Sequence, residues 1–64
     1  MSRKSRRILK AYDSRNTAFA NYCAACDAYD TAHIDSLSAA SARRDATSAI
    51  YRATCEEYQD ATAA

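Results

Sequence analysis

The large side chains in the first half of the chain fall at Ile8, Tyr12, Phe19, Tyr22, Cys26 and Tyr29, with Arg15 in the one polar slot. From Ile8 the steps run 4, 3, 4, 3, 4, 3. That alternation returns a residue to one side of a helix at every turn, and it marks helices that pack lengthwise. It predicts a first helix over about residues 5–30. In the second half Leu37, Ala40, Arg44, Thr47, Tyr51, Thr54 and Tyr58 step 3, 4, 3, 4, 3, 4 and predict a second helix over about residues 36–60. Between them, Asp30-Thr31-Ala32-His33-Ile34-Asp35-Ser36 is rich in side chains that bond to nearby backbone and favour caps and turns. A turn is expected over about 31–35, with Asp35, Ser36 or Ser38 capping the second helix, and residues 1–4 and 61–64 are expected to fray.

The fold class that follows is all-α, an antiparallel two-helix hairpin of coiled-coil character. Folding the chain at His33 sets Tyr29 against Leu37, Cys26 against Ala40, Tyr22 against Arg44 and Phe19 against Thr47. Farther out, Arg15 meets Tyr51, Tyr12 meets Thr54 and Ile8 meets Tyr58. Large residues then oppose small ones, and both arginines oppose a tyrosine ring.

A second regularity points elsewhere. Alanine recurs every seven residues at Ala11, Ala18, Ala25, Ala32, Ala39, Ala46 and Ala53, without losing phase across the turn segment. One uninterrupted helix pairing with another chain needs that continuity; a hairpin does not. Such a helix is a rod about 80 Å long. The turn cluster at the midpoint and the opposite charge of the two halves favour the hairpin. Glycine and proline are absent, so nothing else in the chain breaks a helix.

Composition adds size and charge. With 64 residues there is room for one domain and a thin core, so self-association is expected. Ala20, Ala24 and Ala28 on the first helix, with Ala46, Ala49 and Ile50 on the second, form small-residue faces suited to packing hairpin on hairpin into a dimeric four-helix bundle. Residues 1–15 carry six basic side chains against Asp13, and the remainder carries three against seven acidic ones. A hairpin brings Arg7 and Lys10 towards Glu56, Glu57 and Asp60. No run approaches the roughly 20 apolar residues of a membrane span, and no apolar stretch follows the basic N-terminus to make a secretory signal. A cytoplasmic protein with no membrane partner is expected.

Candidate chemistry is sparse. Cys23 and Cys26 form a CxxC, Cys55 makes the count odd, and an odd count suits a reducing compartment. A thioredoxin-like site needs a preceding strand, and a zinc site needs two further ligands. His33 lies about 10 Å beyond Cys26 at helical rise, and Cys55 is expected level with Ala11, about 22 Å away. The cysteines therefore read as small packing residues, and no metal or cofactor is expected. No activated nucleophile or phosphate-cradling loop is present, so the chain reads as non-enzymatic. Arg3, Lys4, Arg6, Arg7 and Lys10 make a basic segment able to track nucleic-acid phosphates, the runner-up to a protein–protein interaction module with an unidentified protein partner.

In size, helix content and tyrosine–alanine seams the chain resembles the small accessory proteins of temperate phages, such as those encoded between the exonuclease and excisionase genes of lambdoid phages. The resemblance implies a regulatory role: binding host or phage factors and modulating development.

Overall fold

A computed structural model of the chain describes residues 2–63. It holds two helices, α1 (Arg3–Thr31) and α2 (Leu37–Thr62), joined through a single 3-10 turn at Ile34–Ser36. Of the described residues 94% are helical, and the two helices pack against each other. It measures 50 × 15 × 11 Å, well short of an uninterrupted rod.

Both helices run closer to the chain ends than the sequence predicts. Ser2 Oγ accepts the Ser5 N–H at 3.1 Å, so α1 starts at Arg3 and takes in Lys4. At the far end Ala61 is buried and Ala63 N–H donates to Gln59 C=O at 3.0 Å, which carries α2 through Thr62. Residues 1 and 64, also expected to fray, lie outside the described residues.

The break needs no glycine. Ala32 (φ −68°, ψ 140°) and His33 (φ −71°, ψ 157°) leave the helix in extended conformation, which any residue adopts. Thr31 Oγ1 donates back to Asp27 C=O at 3.0 Å and closes α1. Ser36 precedes α2 without a side-chain cap; its N–H and its hydroxyl both donate to His33 C=O, at 2.9 and 3.3 Å. The hinge is therefore two extended residues and one tight turn, and the chain's midpoint of folding lies beyond His33.

That displacement resets every pairing. Phe19 meets Tyr51, with ring centroids 5.2 Å apart, where Thr47 was expected. Arg15 lies over Tyr58 at 4.3 Å in place of Tyr51. Arg44 lies over Tyr29 at 4.1 Å in place of Tyr22. For both arginines the slip is one heptad, so the second seam keeps its membership and arginine still faces tyrosine.

The first seam changes. Ile8, Arg15, Tyr22 and Tyr29 stay on it, but the positions between them belong to Ala11, Ala18, Ala25 and Ala32. Tyr12 and Phe19 move to the flank, 43% and 49% exposed. The buried residues among those described are Ala11, Ala18, Ala25 and Ala61, and Ala25 is fully enclosed. A methyl group at the centre lets two backbones approach closely, and large rings then close over the edges. Ala39, Ala46 and Ala53 are exposed, so the seven-residue alanine period means packing in α1 only.

Placed on one another by these seams, the helices are a repeat. Residues 8–32 and 37–61, offset by 29, share Ala11/Ala40, Arg15/Arg44, Ala20/Ala49, Tyr22/Tyr51, Ala24/Ala53, Cys26/Cys55, Tyr29/Tyr58 and Ala32/Ala61. The geometry follows the sequence. Under the same offset the Arg15–Tyr58 contact maps onto Arg44–Tyr29, at nearly the same distance. Tyr22 maps onto its own partner Tyr51, and their rings are parallel within 5°. The hairpin thus has an approximate two-fold axis passing between Tyr22 and Tyr51.

Candidate functional site

The chemistry-bearing residues sort into a core stack, an open end and two flanks. The stack runs Arg15/Tyr58, Tyr22/Tyr51, Tyr29/Arg44, with alanine or threonine between layers. Its cysteines follow the two-fold relation. The Tyr22 phenol is held above its ordinary pKa, chiefly because the Cys26 thiol as hydrogen-bond partner favours the neutral phenol, with Arg44 opposing. Tyr51 is raised in the same way by Cys55, with Arg15 opposing. The register set by Arg15/Tyr58 and Tyr22/Tyr51 puts Cys55 opposite Ala18, beside Phe19, not level with Ala11. All three thiols are free, Cys23 exposed and the other two half-buried. Among the described residues no three histidine, cysteine or carboxylate side chains converge. His33 is exposed at the hinge.

The open end gathers the basic segment. Arg3, Lys4 and Arg7 line a groove with Asp60 and Ala61; Arg7 and Lys10 line the next with Glu57, Asp60 and Ala61. The expected approach of basic head and acidic tail is there for Glu57 and Asp60, and Arg6 and Glu56 stay outside both grooves. None of these charges closes to an ion pair: the one within 4.0 Å among the described residues is Arg44 Nε–Asp45 Oδ1, at 3.9 Å. Carboxylates thus share the surface a phosphate backbone would occupy.

The expected bundle residues lie on one flank and the outer face. Ala20, Ala24, Ala46, Ala49 and Ile50 are exposed and Ala28 is half-buried. Ile50 stands in an open groove with Lys10, Asp13, Ser14, Thr17, Ala18 and Asn21. Helical spacing puts the larger apolar side chains on the opposite flank: Leu9, Tyr12, Phe19 and Cys23, with Cys26 beneath. The sequence reading absorbed Tyr12 and Phe19 into the core and left Leu9 and Cys23 aside. The signal that separates them is the 29-residue repeat, because the equivalent positions in α2 are Ser38, Ser41, Ser48 and Arg52. No helix among the described residues is long and apolar enough to cross a membrane.

The chain matches no protein-family model, no curated protein and no solved structure.

Proposed function

We propose that the chain is a small non-enzymatic module that works by binding protein. It is a coiled-coil-like hairpin that forms a cytoplasmic homodimer, two hairpins making a four-helix arrangement, and meets a further protein partner through what stays exposed. One observation carries this reading: among the described residues the buried core is four alanines, while Leu9, Phe19, Ile34 and Ile50 remain about half exposed or more. Apolar side chains left uncovered on so small a fold are suited to a partner's surface. By the likeness to small phage accessory proteins, the partner is a host or phage factor and the role regulatory.

A photo-cross-linking residue at Phe19, Ile34 or Ile50, with exposed Ala53 as control, tests it in the producing cell. Protein adducts specific to the three apolar positions are expected. Adducts no stronger than at Ala53 defeat the reading.

The runner-up is nucleic-acid contact through Arg3, Lys4, Arg7 and Lys10, favoured by their gathering at one end. Binding to arbitrary duplex DNA at low salt, lost steeply as salt rises, is its signature. Absence of binding at low salt removes it.

A further inference from the structure

The repeat supplies an internal control. Both helices serve the same seam, so the kind of residue the hairpin itself demands should recur 29 positions on. Arg, Tyr and Cys at the packing positions do recur, as do Ala11 and Ala32, and Ala18 and Ala25 are matched by the small Thr47 and Thr54. Leu9, Tyr12, Phe19 and Cys23 do not: α2 has Ser38, Ser41, Ser48 and Arg52 there. α2 keeps its side of the hairpin with serine in three of these places. Tyr12 and Phe19 touch Tyr58 and Tyr51 at the seam edge, but about half of each of Leu9, Tyr12 and Phe19 stays exposed, and that exposed ridge answers to something outside the hairpin.

We propose that this ridge is a homotypic interface: a second copy of the chain docks on it with its own α1 antiparallel. The proposal rests on reading the chain as an interaction module and specifies the face that meets the second copy. Two observations select this occupant. First, Leu9, Tyr12, Asn16, Phe19, Cys23 and Cys26 form an uncharged strip, so a two-fold axis brings no like charges together at the centre. Second, the ends of α1 are complementary. Arg6 lies at one end and Asp27 at the other, both exposed, in the row bordering the strip. Antiparallel docking with Asn16 against Phe19 of the partner copy sets Arg6 near Asp27 across the interface twice. Parallel docking would set Arg6 on Arg6. Beside the ridge α2 presents the small Ser38, Ser41 and Ser48, with the charged Asp45 and Arg52 in the same row.

The full chain tests this. At about 100 μM, where a micromolar dimer is largely formed, the solution mass should be that of a dimer. Phe19→Ser and Tyr12→Ser copy the residues of the other repeat. Each should raise the dimer dissociation constant at least about tenfold. Because Phe19 also touches Tyr51, and Tyr12 touches Tyr58 and Arg15, a charge exchange provides a check that leaves the rings alone. Arg6→Asp should weaken the dimer, and Arg6→Asp with Asp27→Arg should restore it. Within one chain these residues are about 31 Å apart along α1, so rescue reports contact between copies. A monomeric wild-type chain, or failure of the exchange to rescue, overturns the proposal. A dimer that survives Phe19→Ser but falls apart on Ala24→Glu or Ala49→Glu overturns it in favour of the alanine faces, and leaves the reading as an interaction module standing.

Discussion

The Arg15 guanidinium lies 4.3 Å from the centroid of the Tyr58 ring, and the repeat reproduces this contact as Arg44 over Tyr29. A cation over a ring face gains about 0.5–2 kcal/mol, more where water is excluded. Arg15→Ala and Arg44→Ala should therefore each lower the unfolding free energy by about that amount. Arg15 also stands 5.3 Å from the Tyr12 ring, a contact with no counterpart at Arg44, so its loss should be the larger of the two. Urea unfolding of both variants measures it; a loss confined to one of them breaks the two-fold relation.

The centre of the seam holds alanine because nothing larger fits between the helices. Ala25→Leu should cost about 1–3 kcal/mol through overpacking, since Ala25 has no exposed surface. Ala46→Leu carries the same chemical change at an exposed position of the same sequence period. It should stay within about 0.5 kcal/mol of wild type. Thermal melts that rank the two variants the other way would show the alanine period working along one continuous helix.

Tyr22 and Tyr51 both titrate above the usual phenol range, through Cys26 and Cys55 respectively. The folded state then holds these protons more tightly than the unfolded chain does. The stability this gives is complete below the unfolded phenol value, near 10, and is lost as pH rises through the folded values. Unfolding at stepped alkaline pH should show a decline beginning near pH 10. It should be smaller in a Cys26→Ala, Cys55→Ala double variant. A pH-independent plateau through that range, or a decline untouched by removing both thiols, contradicts it.

The hairpin is legible in the sequence because its signals are local: the step of three and four, and a polar cluster at the midpoint. The second seam is legible for the same reason. The first is only half legible. Tyr12 and Phe19 outweigh Ala11 and Ala18 on any hydrophobic scale, yet close approach puts the smallest residue at the centre and the rings outside. Register is hidden by periodicity itself: Arg15 finds a tyrosine at position 51 or at 58, and only the hinge at Ala32 and His33 decides between them. The ridge formed by Leu9, Tyr12, Phe19 and Cys23 cannot be separated from the core until the helices are aligned on their true seam, which is also when the repeat becomes visible.

Ser2 offers the simplest check on the ends. Its hydroxyl oxygen accepts the Ser5 N–H and it donates to Ser5 Oγ at 2.9 Å. Ser2→Ala should cost about 1 kcal/mol. Amide exchange should quicken at Ser5 and Arg6, while Ala18 and Ala25 keep their protection. Unchanged exchange in the first turn would mean that packing alone holds the helix start.

Charge at the open end sets two effects against each other. α1 has no acidic residue in its first turn and α2 no basic residue in its last, so the flanking charges oppose each helix's own dipole. Side by side, the arrangement works differently. Arg7 and Lys10 share a groove with Glu57 and Asp60, which places basic side chains beside the carbonyl end of α2. Replacing Glu57 and Asp60 by lysine improves the dipole of α2 but leaves Arg3, Lys4, Arg7 and Lys10 facing like charge. Four cations line these grooves, and the dipole acts only within the last turn, so the cross-helix term should win. The double variant should lose about 0.5–1 kcal/mol at low salt. Most of that should return near 1 M salt, where screening reaches about 3 Å. Equal or greater stability of the variant at low salt would show that each helix end is governed by its own dipole and not by its neighbour.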